Sequence, residues 1–375
     1  MLLSTFATAL GMLPLAFSAA IPSTSAASNF PVANPGNHKT RDPNIIHYNN
    51  EYYLFQTSVG IQYSKASSLS GPWTLVGEVM NGKPSVINKG DRNDLWAPTV
   101  VQYNNKFYCF YSVSSLGSRD SAIGVATSDS LAAGSWTDHG AVINTGSGQN
   151  SNAFPFNESN AIDPSVIVEP LGLGSFLTFG SYWTDIWQVP LSADLLSVQN
   201  PESPDARHLS LTPPTSQDAP NNRPEEASWI SYKNGYYYLW YSKGQCCGLD
   251  PNNLPPAGSE YSIRVGRSLS VRGPYVDKNN VDLLNDGGHL VYGSNNNGQV
   301  YAPGSNGVLN NNLGPDILYY HYFNKSTGVA TDDALLGYNY LTYEDGWPVV
   351  TTTSGFVEPL ASPTDLTLHL PPSTT

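Results

Sequence analysis

The sequence predicts an all-β protein, namely a five-bladed β-propeller with four-stranded antiparallel blades. Three observations lead to this fold class. The 375 residues include 33 glycines, 29 prolines and 11% aromatic residues, which is typical of many short strands joined by turns. Only 13% of residues are charged, roughly half the usual quarter, and the many turn formers and Tyr residues disfavour a helical bundle or coiled coil. The third observation is a hairpin-like segment that occurs five times.

The repeated segment is a short strand, an Asn-rich turn and a second, aromatic strand. In the first copy, the strand that begins at Arg41 leads into Asn49-Asn50 and then into an aromatic strand ending at Phe55. An Asn-Asn or Asn-Gly dipeptide between two such strands indicates a β-hairpin. The five copies lie at residues 41–55, 95–110, 162–179, 225–240 and 300–323, of which the last is the weakest.

A second repeated segment follows three of these hairpins, at residues 61–73, 122–136 and 262–275. Two hairpins per unit give a four-stranded sheet, and five units fill the chain from about residue 40 to about residue 350. Four-stranded sheets repeated around a central channel form a propeller, which leaves few exposed strand edges. A β-sandwich is the alternative, but sandwiches do not repeat the same two hairpins five times.

The two ends of the chain differ from the repeats. Residues 1–20 contain an apolar run from Leu10 to Phe17 followed by small residues, which is the pattern of a secretory signal peptide, although a basic first segment is missing. A membrane anchor is the alternative, but the run is shorter than the ~18 apolar residues of a membrane span. We therefore expect a secreted, extracellular protein without a membrane partner. Its predicted parts after the signal are a Ser/Ala/Pro-rich lead at 21–34, the propeller at 35–350 and a Ser/Thr/Pro-rich tail at 351–375.

Charge and side-chain chemistry narrow the partners further. The formal net charge is −13 without a basic stripe, so we expect no nucleic-acid partner, and we expect a monomer.

Cys109 lies in an aromatic strand and should be a buried hydrophobic residue. Cys246 and Cys247 are adjacent and either form a vicinal disulfide or stay reduced. Asn157 and Asn324 begin Asn-x-Ser sequons, which fit glycosylation of a secreted protein.

Acidic residues open the first strand of three units. Asp42 stands at the start of unit one, Asp163 of unit three and Glu225-Glu226 of unit four, and Asp94 holds a related place in unit two. In a propeller the first strand of each blade lines the central channel, so these starts should meet at one mouth. Gathering carboxyl groups there costs electrostatic free energy. A functional role is therefore favoured over simple turn formation by the Asp-Pro pairs.

Glycoside cleavage is the chemistry that needs such a group of carboxyls. One carboxylic acid protonates the leaving oxygen, while a carboxylate on the opposite side activates water. A nearby like charge raises the pKa of the acid and keeps it protonated. Three carboxyl groups therefore suit a base, an acid and a neighbour that tunes the acid.

Sugar-binding side chains are expected near the same mouth. Indole rings stack on the apolar faces of sugars, although a Trp is as often a packing residue. The candidates for substrate binding are Asp94, Trp96, Asn160, Ser181 and Trp183. His321 lies mid-strand in unit five, where it either lines the channel or packs in the core.

These residues resemble the motifs of glycoside hydrolase family 43, and in particular its fungal secreted arabinan-cleaving members. The motifs that carry the resemblance begin at Arg41, Asp94, Asn160, Phe179, Glu226 and Tyr320. The resemblance implies a five-bladed propeller and an inverting mechanism, with Asp42 as general base, Glu226 as general acid and Asp163 as the residue that tunes and orients the acid. It also implies a calcium or similar ion in the central channel, held through His321 and water.

The resulting expectation is a hydrolase that cuts internal α-1,5 bonds of arabinan with inversion. Inversion predicts a separation of about 6.5 to 9.5 Å between the base and acid carboxyls, which leaves room for water. An exo-acting arabinofuranosidase or xylosidase and a non-catalytic carbohydrate-binding propeller are the alternatives. Glu225 departs from the family pattern. Strand alternation should send Glu225 and Glu226 to opposite faces, and Ala227 favours Glu226 as the acid.

Overall fold

Short β-strands account for nearly all regular secondary structure in the computed structural model, which describes residues 30–213, 224–311 and 314–353. The strands are β1 (Asn34–Lys39), β2 (Asn44–Tyr48), β3 (Glu51–Phe55), β4 (Ser58–Val59), β5 (Gln62–Ala66), β6 (Thr74–Glu78), β7 (Asp94–Tyr103), β8 (Lys106–Val113), β9 (Ala122–Ser128), β10 (Thr137–Asn144), β11 (Ser165–Val168), β12 (Ser175–Phe179), β13 (Ile186–Pro190), β14 (Arg207–Ser210), β15 (Glu225–Lys233), β16 (Tyr236–Lys243), β17 (Ser262–Ser268), β18 (His289–Tyr292), β19 (Tyr301–Leu309), β20 (Asp316–Phe323), β21 (Leu335–Glu344) and β22 (Trp347–Thr351). Short 3-10 helices occupy Leu283–Asn285, Asn296–Gly298 and Thr331–Asp333. Within these described ranges, no helix is long and apolar enough to cross a membrane.

The strands form five antiparallel sheets around a central channel, which confirms the predicted propeller. Blade 1 is β2-β3-β5-β6, blade 2 is β7-β8-β9-β10, blade 3 is β11-β12-β13-β14, blade 4 is β15-β16-β17-β18 and blade 5 is β19-β20-β21-β1. The first strands contact one another in a closed ring, in the order β2, β7, β11, β15, β19 and back to β2. The starts of these strands therefore meet at one mouth of the channel.

Asparagine turns join the first two strands of several blades, as the sequence predicts. Asn49 and Asn50 in blade 1 and Asn104 and Asn105 in blade 2 all have positive φ, between 49° and 61°. Two consecutive left-handed residues form a turn whose twist matches that of the flanking strands, and asparagine tolerates this conformation better than most residues. In blade 4, Asn234 and the following glycine take the same places.

The N-terminal strand closes the ring, a feature that the sequence repeats do not reveal. β1 pairs antiparallel with β21, with Asn34 opposite Tyr338 and Lys39 opposite Leu335, and so becomes the fourth strand of blade 5. β22 pairs with the other half of the same strand and adds a fifth strand, while the short β4 joins blade 2. The last blade is thus built from both ends of the propeller, which protects strand edges that would otherwise be open.

Apolar clusters fill the space between neighbouring blades. Between blades 1 and 2, Phe55 stacks on Tyr63 with ring centroids 4.8 Å apart and meets Trp136 edge-on at 6.0 Å. Cys109 lies in the same cluster as a free, buried thiol, as the sequence predicts. Removing such aromatic surface from water stabilises the blade interfaces by ~25 cal/mol per Å² of apolar area.

The predictions for the chain ends fall largely beyond this structure. The signal peptide at 1–20, most of the lead at 21–34 and the tail after residue 353 lie outside the described residues. Both sequons lie inside them. Asn157 is exposed in a turn, whereas Asn324 is half-buried and its Oδ1 accepts a hydrogen bond from Ser326 Oγ at 2.7 Å.

Candidate active site

A left-handed residue marks the start of every channel-lining strand. These residues are Asp42, Ala97, Asp163, Ala227 and Ala302, with φ between 45° and 56°. Residues other than glycine rarely adopt this conformation, which costs roughly 1 kcal/mol or more. Each backbone N–H donates to a side chain of the preceding blade; for example, Asp163 N–H donates to Ser112 Oγ at 2.9 Å. The five loops at the channel mouth are therefore linked in a ring.

Glu226 does not occupy the position equivalent to Asp42 and Asp163, so the prediction of three equivalent carboxyl positions is wrong for blade 4. Ala227 is the left-handed residue there, and Glu226 corresponds to Arg41 in blade 1. The pairing of β15 with β16 shifts register between Glu226 and Trp229. Glu226 enters the cleft one residue before the ring position, where Arg41 and Trp96 also border it in blades 1 and 2.

The three predicted carboxyl groups nevertheless line one cleft. A cavity of about 940 Å³ at the channel mouth is bordered by Asp42, Asp163 and Glu226, with walls from all five blades. Its volume is at the upper end of the range for small-molecule sites, so it can admit more than one sugar unit. The convergence on which the sequence-based mechanism depends is therefore present.

The surroundings of Asp42 favour its ionised form. Thr57 Oγ1 donates to Asp42 Oδ2 at 2.5 Å and accepts the Ala97 N–H at 2.8 Å. Burial acts to raise the pKa of Asp42, but the positive charge of Arg41 and the hydrogen bonds outweigh burial, and the pKa lies below its ordinary value. Asp42 is thus available to accept a proton from water.

The surroundings of Glu226 favour its protonated form. The residue is 8% exposed, and its oxygens accept hydrogen bonds from Ser181 Oγ at 2.6 Å and from Tyr261 OH at 2.9 Å. Burial raises the pKa of Glu226 and, helped by the charge of Asp42, outweighs these hydrogen bonds. Glu226 is therefore suited to donate a proton.

Asp163 links the two other carboxyl groups. Its Oδ2 accepts the Ala227 N–H at 3.2 Å, which fixes the backbone directly after Glu226. Burial, followed by the charges of Glu226 and Asp42, raises the pKa of Asp163 well above its ordinary value. The Asp163–Glu226 pair therefore keeps a proton to higher pH than an isolated carboxyl would.

Glu225 points away from the cleft, as strand alternation predicts. Its side chain is fully buried and forms an ion pair with Lys243 Nζ at 2.9 Å. Ser210 Oγ and Thr212 Oγ1 donate to it at 2.6 and 2.8 Å. Glu225 is therefore a structural anion behind the cleft, and Glu226 is the acidic residue of this pair that reaches the site.

Comparison with protein families agrees with this arrangement. The family model described as "Glycosyl hydrolases family 43" matches residues 32–348, which is nearly the whole propeller. The chain belongs to this family. Because family 43 is thereby established, the chain is a glycoside hydrolase, and the carboxyl cleft at the channel mouth is its candidate active site.

Three known proteins illustrate the similarity. The chain is 49% identical over 358 residues to "Probable arabinan endo-1,5-alpha-L-arabinosidase D" of Emericella nidulans, covering 95% of this chain and 91% of the relative. The Cellvibrio cellulosa α-L-arabinanase solved with arabinohexaose has a TM-score of 0.71 and 28% identity, covering 84% and 96%. An exo-1,5-α-L-arabinanase from a bovine ruminal metagenomic library has a TM-score of 0.70 and 27% identity, covering 84% and 97%.

The predicted sugar-binding residues all border the family 43 cleft, but in two different roles. Trp96, Asp94 and Trp183 lie on its walls, and Trp96 Nε1 donates to Asp94 Oδ2 at 3.3 Å. Asn160 is buried; its Oδ1 accepts from Ser121 Oγ at 2.7 Å and its Nδ2 donates to the Ser181 carbonyl at 3.3 Å. Asn160 therefore supports Ser181, which in turn holds the acid.

Sequence reasoning missed Thr57, Tyr261 and Arg41 as members of the site. A signal for the first was present, because every blade has an aromatic residue two positions before a polar one at the end of its second strand. The polar residues of this motif are Thr57, Ser112, Ser181, Ser242 and His321. All five take part in hydrogen bonds at the channel mouth. Tyr261 ends the loop 244–261, which is longer than the loops between the second and third strands of the other blades, so the repeat did not point to it.

His321 is the residue predicted to hold a metal ion. It is buried, and burial lowers its pKa to about 4 although Asp42 opposes this. Its Nδ1 accepts the Asp42 N–H at 3.2 Å and lies 3.6 Å from Asp42 Oδ1, while Nε2 has no partner among the described residues. The described ranges hold no group of three or more His, Cys, Asp or Glu residues able to bind a metal. His321 therefore offers one ligand at most.

Proposed function

We propose that the chain hydrolyses internal α-1,5-arabinofuranosidic bonds of arabinan with inversion at the anomeric carbon. The observation that carries this proposal is the presence of Asp42 and Glu226 in one cleft with opposite preferred charge states. Arabinan as the substrate is supported by the Emericella nidulans relative, named an arabinan endo-1,5-α-L-arabinosidase, and by the Cellvibrio cellulosa arabinanase solved with arabinohexaose.

Asp42 and Glu226 divide the proton transfers of the reaction. Asp42 removes a proton from a water molecule, whose oxygen forms the new bond to C1 of the arabinofuranose. Glu226 gives its proton to O5 of the departing sugar as the bond between C1 and O5 breaks. Inversion follows because the attacking water and the leaving oxygen are on opposite faces, an arrangement that requires the carboxyls to be about 6.5 to 9.5 Å apart.

Asp163 keeps the acid ready for the next turnover. After reaction Asp42 is protonated and Glu226 is ionised, so both must exchange protons with solvent. Because Asp163 and Glu226 repel each other when both are ionised, the pair readily regains a proton, and the hydrogen bond that Asp163 accepts from the Ala227 N–H holds the acid segment in place. This accounts for a third carboxyl group that takes no direct part in bond making.

The endo mode distinguishes this proposal from exo cleavage on the same fold, and product analysis tests it. The ruminal exo-arabinanase has a similar fold, so the fold alone does not set the mode. With linear debranched arabinan, mixed oligosaccharides in the first minutes are expected, and their new anomeric centre should be inverted by proton NMR. Release of a single short product would indicate exo action. No new reducing ends would indicate a non-catalytic binding protein.

We further propose that the protein is a secreted monomeric glycoprotein without nucleic-acid or membrane partners. The signal-like residues 1–20, the exposed Asn157 and the net charge of −13 support this. Expression in a fungal host should place the protein in the medium, with a mass that falls after endoglycosidase treatment. Asn157→Gln should remove part of that mass. Retention in the cells, or an unchanged mass, would contradict secretion or glycosylation respectively.

For a cation in the central channel, we propose that His321 Nε2 and water would be the ligands. Ligation requires an unprotonated Nε2, which moves the imidazole proton to Nδ1 and gives up the hydrogen bond that Nδ1 accepts from the Asp42 N–H. A bound cation would supply positive charge that favours ionised Asp42. Loss of thermal stability with EDTA, restored by calcium and absent in His321→Ala, is the expected result. An EDTA response equal in both proteins would contradict the assignment to His321.

A further inference from the structure

The adjacent cysteines, which the sequence left open, form a disulfide in the wall of the cleft. Cys246 and Cys247 are bonded, and both border the cavity that contains the three carboxyl groups. They lie on the loop of residues 244–261, which leaves blade 4 after Lys243 and returns at Ser262. Neither the mechanism nor the family resemblance uses this disulfide.

The base of the disulfide loop is tied down on both sides. Gln245 N–H donates to the Ser259 carbonyl at 2.9 Å, and Tyr261 N–H donates to the Gln245 carbonyl at 3.1 Å. The Gln245 side chain also donates to the Cys247 carbonyl at 3.2 Å. Because Tyr261 holds Glu226, the disulfide and a hydrogen-bond partner of the acid are carried by one fixed loop.

The two cysteines face different surroundings. Cys246 is half-buried against an apolar cluster that includes Tyr261 and Tyr301. Cys247 Sγ accepts a hydrogen bond from Arg41 Nη2 at 3.3 Å. In the part of the chain that the structure describes, this is the hydrogen bond that the Arg41 side chain forms. The disulfide therefore packs against the apolar cluster on one side and borders the cleft on the other. It also contacts Arg41, the residue that precedes Asp42.

The disulfide and the two tryptophans border the cleft from different blades. Trp96 belongs to blade 2 and Trp183 follows the second strand of blade 3, whereas the disulfide belongs to blade 4. A disulfide is apolar and polarisable, and it locks two neighbouring side chains into one surface. Such a surface suits the C–H face of a furanose ring, while Arg41 beside it can donate to sugar hydroxyls.

We propose that the Cys246–Cys247 disulfide is a sugar-binding surface of the cleft, on which an arabinofuranose ring packs beside Arg41. This inference rests on the proposed function, since it assumes an arabino-oligosaccharide in the cleft. The tryptophans and the disulfide then contact different sugar units of one oligosaccharide. Removing the disulfide should weaken binding of the oligosaccharide without disturbing the fold.

Calorimetric binding of arabinohexaose to Glu226→Gln, with and without the Cys246→Ala/Cys247→Ala pair, tests the proposal. We expect about tenfold weaker binding without the disulfide, the usual scale for losing one apolar contact in a sugar-sized site. Asn252→Ala, an exposed change in the same loop, is the control and should leave the affinity unchanged. Equal affinity with and without the cysteines, or no binding by either, would overturn the proposal.

Reduction of the disulfide provides a second test, which needs no substitution of the two cysteines. The chain has three cysteines and Cys109 is buried, so a phosphine reductant should act on the vicinal pair. The affinity of Glu226→Gln for arabinohexaose should fall about tenfold on reduction and recover on reoxidation. The variant that combines Glu226→Gln with Cys246→Ala and Cys247→Ala should not respond. A reduced protein that binds arabinohexaose as tightly as the oxidised protein would contradict the proposal. Hydrolysis of linear arabinan by the unmodified protein separately reports on the proposed function.

Discussion

Asp42 and Glu226 border the same cleft, yet their surroundings favour opposite charge states. Both accept hydrogen bonds from hydroxyl groups, which favour the ionised form in each case. At Asp42 the charge of Arg41 and the hydrogen bonds outweigh burial, whereas at Glu226 burial prevails. The hydroxyl groups therefore do not make the difference. Burial and the neighbouring charges divide the two carboxyls into a base and an acid.

The position of each carboxyl in its blade explains this division. Asp42 is in the ring of left-handed residues, directly after Arg41, while Glu226 lies one residue earlier in its own blade. The offset puts Glu226 against Ser181 and Tyr261, from blade 3 and the disulfide loop. A shift of one residue in a repeated strand thus gives a second carboxyl a drier environment than the first.

Neutralising either carboxyl should have the largest effect and should separate their roles. Glu226→Gln and Asp42→Asn should each lower kcat on arabinan by about 10³-fold or more. With an aryl arabino-oligosaccharide whose phenol leaves without protonation, Glu226→Gln should recover much of its rate, because the acid is no longer needed. Asp42→Asn should not recover, because the base still is. Steady-state kinetics on both substrates provide the measurement.

Glu225→Gln is the matched control for the acid. It removes a charge from the neighbouring residue and breaks the buried ion pair with Lys243, so it should lower the midpoint of thermal unfolding. Its kcat should stay within a few-fold of the parent protein. An inactive Glu225→Gln beside an active Glu226→Gln would reverse the assignment of the acid.

Asp163→Asn should have an intermediate effect, a loss of about 10- to 100-fold in kcat. Without this carboxyl, Glu226 loses the neighbour with which it keeps a proton to higher pH, so the basic limb of the pH–rate profile should move to lower pH. The stability effect has a defined sign. A carboxyl with a raised folded pKa destabilises the fold increasingly as pH rises from its unfolded pKa, about 4, to its folded pKa, so the variant should gain stability relative to the parent as pH rises above ~4. An unmoved basic limb would exclude a tuning role for Asp163.

Ser181→Ala should have the smallest effect, about tenfold or less in kcat. The hydroxyl stabilises the ionised form of Glu226, so its loss should raise the pKa of Glu226 further and move the basic limb to higher pH. The direction is opposite to that of Asp163→Asn, which makes the pair informative. Ser181→Thr keeps the hydroxyl and should restore the parent profile. Limbs that move in the same direction would refute the electrostatic account.

Much of the fold could be predicted because repeated local sequence patterns determine its hairpins. Alternating aromatic residues and Asn-rich turns such as Asn49-Asn50 specify hairpins from neighbouring residues alone. The closing strand β1 could not be predicted in this way, since its partner Tyr338 lies about three hundred residues away and Asn34 has no counterpart in the repeat. For the same reason Tyr261, on a loop that is longer in blade 4 than in the other blades, was missed.

What the sequence determined by itself was the set of short strands, their fivefold repetition and the acidic residues Asp42, Asp163 and Glu226. The tertiary structure alone decided that Glu226 sits one residue off the ring, that Thr57 and Tyr261 hold the base and the acid, and that Cys246 and Cys247 are joined in the cleft wall. The physical reason is that hairpins depend on residues close together in the chain. A charge state depends on burial and on neighbours that only the closed ring brings within a few ångströms.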